Sequence, residues 1–204
     1  MICIGDFDNL IDVPEEGISS CSEIISVMDD NVNLLISEGA IRSRTEYLVK
    51  QICDDFPLDI CAVVLLKGGI VFFSDLIRAI NKQSGKHVFI DSIQVSSYEK
   101  EKSTGTINIS KDIDNIEGRD VLLVEDVLDT GLTLSYVKKH LLINKKARSV
   151  KITCIVQKAC QRKVDVKVDY IGFSVPDKFI VGYGIDYDQK YRALPFIGYL
   201  KEFK

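Results

Sequence analysis

The sequence contains no tryptophan, two histidines and four prolines among its 204 residues. With only His87 and His140 available, a zinc site of histidine and cysteine or a Ser/His/Asp triad has little to build on. Long apolar runs are also missing, since runs such as residues 61–66 stop far short of the ~20 residues that a membrane helix needs. We therefore expect a protein that does not span a bilayer.

Positive charge is scarce as well. The chain has 26 Lys and Arg against 30 Asp and Glu, a formal net charge of -4. Such a chain has no general field that attracts nucleic acid, so any phosphate binding must be local. We interpret the basic cluster at residues 138–148 as the solvated face and exit of a helix. The balance indicates a small anionic ligand and no nucleic-acid partner.

The cysteines are scattered without a CxxC pair, which favours free thiols in a reducing compartment. They are Cys3, Cys21, Cys53, Cys61, Cys154 and Cys160. Residues 1–6 carry no basic segment ahead of an apolar stretch and so do not resemble a secretory signal. We expect a cytoplasmic location.

The length of the chain and its 46% hydrophobic residues predict one substantial core with a small appended subdomain. The core is expected over residues 37–168, where strand and helix patterns alternate. The two chain ends, residues 1–36 and 169–204, lack this alternation and are interpreted as a hood over the sheet. Short strand candidates at residues 170–175 and 179–183 are followed by an irregular, aromatic-rich tail.

Within the core, short apolar runs predict strands that are buried on both faces. These runs occupy residues 61–66, 87–95, 121–124 and 150–156. Helical spacing predicts one helix that Ser37 caps and that ends near Asp55, a second from residue 70 and a third over residues 133–144. This order predicts an α/β fold, a mostly parallel twisted sheet with helices on both faces that binds ligands beyond its carboxyl edge.

The most informative stretch is residues 121–133. Its four apolar residues end abruptly in Glu125 and Asp126. A buried strand would deliver both carboxylates to the ligand-binding edge of the sheet, where paired sugar hydroxyls could donate to them. A solvated strand end is the alternative interpretation of the acidic pair taken alone.

The loop beyond this pair has the composition of a phosphate cradle. It reads Asp129-Thr130-Gly131-Leu132-Thr133 and offers successive backbone N–H groups and two hydroxyls just before a helix. The glycine permits close backbone approach, and the helix dipole favours an anion there. An ordinary capped helix entry is the alternative, but acids and cradle in one unit favour a phosphosugar site. No GxxxxGK occurs, so this is not a Walker A loop.

Residues 124–133 resemble the phosphoribosyl-pyrophosphate motif of type I phosphoribosyltransferases. Within this family, the motif is most similar to that of the hypoxanthine-guanine subgroup. Further matches occur in the right order along residues 37–195. They are residues 66–69, Ser97 with Tyr98, residues 103–105, Lys158, residues 176–183, Asp186 and Arg192. One departure is Leu132, where some members carry a basic residue. Without that side chain, phosphate binding by the cradle depends on backbone donors.

The resemblance implies a purine salvage enzyme. Such an enzyme joins hypoxanthine or guanine, with xanthine as a further candidate, to phosphoribosyl pyrophosphate and gives IMP or GMP and pyrophosphate. It implies the type I phosphoribosyltransferase fold with a hood, a magnesium requirement, and assembly as a homodimer or homotetramer.

The resemblance also implies residue roles at the sugar. Glu125 and Asp126 hold the ribose hydroxyls, and residues 129–133 hold the 5′-phosphate. Asp129 manages a proton at N7 of the purine. Asp186, Glu125 and Asp126 are candidate magnesium ligands, since a hard divalent ion prefers oxygen.

For pyrophosphate, the implied contacts are Lys67, Gly68, Ser97, Tyr98 and Arg192. Some family members have a cis peptide bond before the lysine, and the sequence leaves the geometry of that bond open. Without the resemblance, a plain strand-to-helix turn would account for the glycines.

The polar residues 97–105 resemble the mobile lid of the family, which excludes water from an oxocarbenium-like transition state. A hairpin connection of modest length is the alternative.

For the base, the resemblance implies that Lys158 donates to the purine O6 and that Phe179 stacks on the ring. A lysine has only donors, so it accepts a 6-oxo group and rejects the 6-amino group of adenine. Backbone groups around Ile180 and Asp186 would read N1 and the 2-substituent. Without the resemblance, Lys158 is a solvated strand-end charge, Phe179 a hood-core residue and Asp186 an ordinary turn residue.

Two other functions compete with this one. A regulatory protein that senses nucleotides and binds RNA or DNA would need a sizeable basic surface, and only the cluster at residues 138–148 is available. A phosphoribosyltransferase for pyrimidines or adenine is disfavoured by Lys158 and the segment around Phe179.

Overall fold

The computed structural model describes residues 11–12, 31–97, 107–158 and 163–201. Within these ranges the helices are α1 (Glu38–Asp55), α2 (Ile70–Ser84) and α3 (Leu132–Ile143). The strands are β1 (Ile11–Asp12), β2 (Val32–Ile36), β3 (Ile60–Leu66), β4 (Val88–Ser97), β5 (Ile107–Lys111), β6 (Asp120–Leu128), β7 (Ser149–Lys158), β8 (Tyr170–Val175), β9 (Ile180–Val181) and β10 (Ile197–Leu200).

Seven strands form the main sheet, in the order β1-β8-β7-β6-β3-β4-β5. All neighbouring pairs are parallel except β4 and β5, which form an antiparallel pair at one edge. The central strands β3 and β6 are aligned so that Val64 is opposite Val124. The residues that follow these two strands therefore emerge side by side. This mostly parallel sheet confirms the α/β fold expected from the alternating pattern.

Helices cover both faces of the sheet. On one face, buried residues of α1 and α2, such as Leu48 and Phe72, pack with Leu122 of β6. On the other face, α3 packs through Val137 against residues such as Leu123. Successive residues of β6 belong to opposite clusters because side chains alternate along a strand. The apolar run in β6 is continuous because both of its faces are buried.

The first helix begins as predicted. Ser37 is its N-cap, and the hydroxyl accepts a hydrogen bond from the backbone N–H of Ala40 at 3.3 Å. Arg44 on α1 is buried and donates to the carbonyl oxygens of Ile171 (3.0 Å) and Gly172 (2.8 Å), which ties α1 to β8. Burial lowers the pKa of this guanidinium from its ordinary value.

A second, antiparallel sheet of three strands joins the two ends of the chain, in the order β2-β10-β9. The structure corrects the expectation that the segments of β2 and β10 are irregular. Both strands are short, and their partners are far apart in sequence, as the pairing of Ile36 with Ile197 shows. A short strand whose pairing partner is distant leaves little local pattern to detect.

The main sheet also extends further along the sequence than residue 168. Strand β8 pairs in parallel with β7, and β1 pairs in parallel with β8. The range assigned to the hood from residue 169 onward therefore includes a strand of the main sheet. The alternation of strands and helices ends before β8, so the sequence pattern no longer indicates a core strand there. In the described part of the chain, no helix combines the length and apolarity needed to cross a bilayer.

Candidate active site

A cavity of about 270 Å³ lies beyond the carboxyl ends of β3 and β6. Its wall includes Leu66 from the end of β3 and Glu125 from β6. The remaining polar lining comes from Asp129, Thr130 and Gly131 of the loop between β6 and α3, and from Thr133 in the first turn of α3. The structure therefore brings the first acidic residue and the predicted cradle to one concave site, at the edge of the sheet where ligands of parallel sheets bind.

Glu125 lines this cavity, and its carboxyl group has a shifted pKa. Its Oε2 atom is buried and has no hydrogen-bond partner among the described residues. Burial, together with the adjacent carboxyl of Asp126, raises the pKa of Glu125 well above its ordinary value. A buried acceptor without a donor is costly, so this oxygen is suited to receive a hydroxyl group or a cation from a ligand.

Asp126, the second acid, belongs to β6 and contacts the loop after β3. Its Oδ1 accepts the backbone N–H of Val127 at 2.9 Å. Its Oδ2 lies so close to the backbone of Gly68 that a Cβ at that position would be 1.9 Å away. Asp126 is 9% exposed. The acidic pair thus connects the phosphoribosyl motif with the predicted pyrophosphate loop.

The backbone of the cradle at residues 129–133 is held by hydrogen bonds from residues 163 and 164. The carbonyl oxygen of Thr130 accepts the backbone N–H groups of Lys163 (3.0 Å) and Val164 (3.1 Å). Gly131 has a φ of 79°, and a Cβ there would lie 2.7 Å from the oxygen of Val164. Glycine is required at this position both by the left-handed backbone and by the close approach.

The donors of the cradle remain available. Gly131 is the N-cap residue of α3, and no side chain of the described residues caps that helix start. In the described ranges, the loop amides make only one internal contact, from the N–H of Leu132 to Thr130 Oγ1 at 3.5 Å. The Leu132 side chain is 44% exposed. Asp129 Oδ1 is buried in the same region, with no hydrogen-bond partner among the described residues. Free amides at a helix start form an anion site.

The loop after β3 has the cis geometry that the sequence left open. The Leu66–Lys67 peptide bond is cis. The Lys67 side chain is exposed. Gly69 is packed between the two central strands, since a Cβ there would lie 3.0 Å from the oxygen of Leu65 and 3.2 Å from that of Val124. A Cβ at Gly68 would therefore displace the Asp126 carboxylate, and a Cβ at Gly69 would crowd two backbone oxygens.

Asp186 and Arg192 form an ion pair in the segment that follows β9. The distance from Arg192 Nη2 to Asp186 Oδ1 is 2.7 Å, and Arg192 Nη1 donates to the carbonyl oxygen of Gly184 at 2.7 Å. The other carboxylate oxygen, Asp186 Oδ2, accepts the backbone N–H of Gln189 at 2.8 Å. The predicted metal ligand and the predicted pyrophosphate contact thus lie side by side.

The predicted base-contacting residues occur near the ends of β7 and β8. Lys158 is the last residue of β7, is paired with Val175, and makes no ion pair with any residue that the structure describes. Phe179 is 38% exposed and meets Tyr187 edge to face, with ring centroids 5.3 Å apart. Ile180 is buried in β9. An ammonium group without an ion pair and a half-open aromatic ring suit a heteroaromatic ligand with a carbonyl group.

The predicted lid falls largely beyond the described residues. Ser97 is the last residue of β4, and its side chain lies outside the described part of the chain. Tyr98 and the remainder of the predicted lid through residue 105 lie outside it as well.

The family model of the phosphoribosyl transferase domain matches residues 39–188 of this chain, well over half of its length. The chain belongs to the phosphoribosyltransferase family. The matched range includes every predicted site residue except Arg192.

Curated relatives of this phosphoribosyltransferase carry a more specific name. The hypoxanthine-guanine phosphoribosyltransferase of Bacillus subtilis (strain 168) is 43% identical over 178 residues, 84% of this chain and 94% of that protein. The enzyme of the same name from Aquifex aeolicus (strain VF5) is 45% identical over 168 residues, 80% of this chain and 92% of that protein.

A solved structure shows the same fold. The hypoxanthine phosphoribosyltransferase of Staphylococcus aureus, in its tetragonal crystal form, superimposes with a TM-score of 0.79 at 40% identity. The match covers 88% of this phosphoribosyltransferase and 97% of that chain.

Three residues that contact each other or the loop after β3 carried no predicted role, namely Asp75, Tyr183 and Gly184. Tyr183 is buried with a φ of 50°, and its hydroxyl donates to Asp75 Oδ2 at 2.7 Å. Gly184 has a φ of 102° and lies on the carbonyl oxygen of Gly68. Two glycines flanking a tyrosine, at residues 182–184, were the available signal, because closely spaced glycines accompany tight backbone approach.

Proposed function

We propose that this phosphoribosyltransferase converts hypoxanthine and guanine, with phosphoribosyl pyrophosphate, to IMP and GMP and releases pyrophosphate. One observation carries the proposal. Glu125 and Asp129, whose buried carboxylate oxygens have no hydrogen-bond partner among the described residues, line one cavity together with Thr130, Gly131 and Thr133 of the cradle. A sugar phosphate matches this set, because its hydroxyls donate to carboxylates and its phosphate accepts from amides.

In this mechanism the chain binds and orients the sugar. Glu125 and Asp126 accept the ribose hydroxyls, and the amides of residues 130–133 bind the 5′-phosphate. Lys67, the Gly68 backbone and Arg192 contact the pyrophosphate group, together with Ser97 and Tyr98 of the lid. Holding both reactants in line lowers the entropic part of the barrier.

Asp129 acts on the base. Its carboxylate lies in the cavity between the sugar site and the helix start, where it exchanges a proton at N7 as the bond to the sugar forms. Phe179 stacks on the purine, and the Lys158 ammonium donates to O6. The backbone around Ile180 and Asp186 reads the remaining edge.

Magnesium is part of the proposal. Among the described residues, no group of three His, Cys, Asp or Glu side chains could hold a metal ion. The carboxylates of Glu125, Asp126 and Asp186 nevertheless fit the ion, since Mg²⁺ binds through one or two carboxylates and completes its coordination with phosphate oxygens and water. The ion would neutralise the charge of the pyrophosphate leaving group. Activity should vanish in a chelator and return with added Mg²⁺.

The proposal also covers the division of the chain into core and hood, its oligomeric state and its cellular location. We propose a core at residues 37–168 and a hood from residues 1–36 and 169–204, in which β2, β9 and β10 form the hood sheet while β1 and β8 of the same ranges extend the core sheet. A cytoplasmic location is supported by the free thiols of Cys53 and Cys61. Assembly as a homodimer or homotetramer is testable by light scattering.

The deciding experiment is a steady-state panel of bases with phosphoribosyl pyrophosphate and Mg²⁺. It includes hypoxanthine, guanine, xanthine, adenine, uracil and orotate. We expect turnover with hypoxanthine and guanine and none with uracil or orotate. Turnover confined to adenine or a pyrimidine would overturn the substrate assignment. Tight nucleotide binding without turnover on any base would favour a sensor.

A further inference from the structure

Tyr183 is a buried tyrosine that adopts a left-handed backbone conformation, with a φ of 50°. This conformation is uncommon and strained for a bulky residue, so surrounding contacts must hold it. Two hydrogen bonds do so. The hydroxyl donates to Asp75 Oδ2 of α2 at 2.7 Å, and the backbone N–H donates to the oxygen of Leu194 at 2.9 Å. Thr45 of α1 lies beside the same hydroxyl.

The next residue transmits this position to the predicted pyrophosphate loop. A Cβ at Gly184 would lie 2.1 Å from the carbonyl oxygen of Gly68. The backbone at Gly184 therefore rests directly on the loop that follows the cis peptide. Gly68 in turn lies against the carboxylate of Asp126. A continuous series of contacts runs from Asp75 through Tyr183 to the phosphoribosyl motif.

Gly184 also connects to the ion pair at the other side of the loop. Its carbonyl oxygen accepts Arg192 Nη1 at 2.7 Å, and its N–H donates to the oxygen of Arg192 at 2.9 Å. Arg192 is held by Asp186 as well. A shift of Gly184 would therefore move both the glycine loop and the arginine.

We propose that Tyr183 and Asp75 are positioning residues for the pyrophosphate side of the site. Their hydrogen bond holds Gly184 against Gly68 and so sets the loop at residues 67–69 and the orientation of Arg192. Neither residue lines the cavity next to the cradle, so both act through other groups. The inference rests on the proposed function, because it assigns the loop and Arg192 to phosphoribosyl pyrophosphate.

The test compares KM values for the two substrates in Tyr183→Phe, which keeps the ring and removes the hydroxyl. Losing one hydrogen bond of this kind should raise KM for phosphoribosyl pyrophosphate about 3- to 10-fold. The inhibition constant of pyrophosphate should rise in parallel, and KM for hypoxanthine should stay within about 2-fold, since Lys158, the proposed contact to O6, lies at the end of β7 and outside this series of contacts. Asp75→Ala should reproduce this pattern. Asp75→Asn, which keeps an acceptor oxygen, should restore most of the affinity.

The chain offers two matched controls. Tyr170 is an equally buried tyrosine whose hydroxyl donates to Asp55 Oδ2 at 2.6 Å. Tyr170→Phe therefore removes a comparable bond away from the site and should leave both KM values unchanged. Arg78→Ala removes the exposed ion pair to Asp75 without removing the Tyr183 bond, and it should also be silent.

Several results would overturn the inference. These are an unchanged KM for phosphoribosyl pyrophosphate in Tyr183→Phe, an equal rise for both substrates, or the same shift in Tyr170→Phe. Should Tyr183→Phe not fold, the Asp75→Ala and Asp75→Asn pair decides. If the wild-type chain shows no turnover, the proposed function fails. Calorimetric titration with phosphoribosyl pyrophosphate then tests the same variants by Kd.

Discussion

The carboxylate of Asp126 and the backbone of Gly68 are in direct contact, and a Cβ at position 68 would stand 1.9 Å from Asp126 Oδ2 and 2.6 Å from Cγ. The contact follows from the sheet, because β3 and β6 are parallel neighbours with Val64 opposite Val124. Their following segments must meet at the same edge. The acid that we assign to the ribose therefore has its position set by the loop that we assign to pyrophosphate.

Gly68→Ala should accordingly disable the site. The added methyl group would displace either the Asp126 carboxylate or the loop, and a misplacement near 1 Å costs about 100-fold in activity. We expect a loss of at least this size in kcat/KM for phosphoribosyl pyrophosphate, measured at saturating hypoxanthine. Normal kinetics in Gly68→Ala would contradict the assignment.

Gly118→Ala is the control for this substitution. Gly118 has a φ of 72°, and no described atom lies within 4 Å of the position that an added methyl group would take. The left-handed backbone makes alanine unfavourable there, but the methyl group would displace nothing near the cavity. Gly118→Ala should therefore lower Tm and leave kcat/KM intact.

Asp129→Asn should reduce kcat far more than it changes KM for the base. The amide keeps the shape of the side chain but cannot take up a proton, and loss of general acid–base catalysis costs about 100- to 10,000-fold. Single-turnover kinetics with hypoxanthine measure this directly. Asp114→Asn serves as the control, because the Asp114 side chain is 86% exposed and pairs only with Lys145 in the described ranges. Wild-type turnover in Asp129→Asn would remove Asp129 from the chemistry.

Lys158→Ala should erode the preference for 6-oxo over 6-amino bases. A hydrogen bond from a charged donor contributes about 1.5 to 3 kcal/mol, so the ratio of kcat/KM for hypoxanthine to that for adenine should fall about 10- to 100-fold. Lys167→Ala is the matched control, since the Lys167 side chain is 82% exposed. An unchanged ratio in Lys158→Ala would show that another group reads O6.

Asp120 should make stability depend on pH at the acidic end. Hydrogen bonds from Arg148 and Ser149 lower the pKa of Asp120 from 3.8 to about 2. A carboxyl with a lowered folded-state pKa stabilises the fold above its unfolded pKa, and this contribution is lost as the pH falls toward 2. The urea midpoint of Asp120→Asn should therefore lie below that of wild type at pH 7, and the gap should shrink as the pH falls below 4. Glu117→Gln is the control variant, because the Glu117 side chain is 72% exposed in its ion pair with Lys146, and it should show no such trend. A gap that is independent of pH would contradict this account.

Local patterns in the sequence were sufficient for most of the core. The cap at Ser37, the apolar run of β6 and the helix beyond Gly131 each depend on residues a few positions apart, so periodicity and capping chemistry reveal them. The same holds for the motif, since the two acids of β6 and the loop at the helix start are neighbours in the chain. The α/β fold and the local order of strand, acids and loop were therefore predictable.

The second sheet was not predictable in this way. Strand β2 acquires its partner from residues near the other end of the chain, and β10 is only four residues long. Their stability comes from pairing and burial, and not from a pattern that either segment carries alone. The extension of the main sheet by β8 was hidden for a related reason, because no helix follows it in the described part of the chain.

By itself, the sequence determined the class of fold, the strand that carries Glu125 and Asp126, and the loop that follows, because these are encoded by residues close together in the chain. Only the tertiary structure decided that Gly184 lies on Gly68, that Tyr183 reaches Asp75, and that Arg192 pairs with Asp186 across a tight turn. Contacts between residues 108 apart, such as Tyr183 with Asp75, arise from how helices and loops pack on the sheet, and a single sequence carries no periodic trace of them.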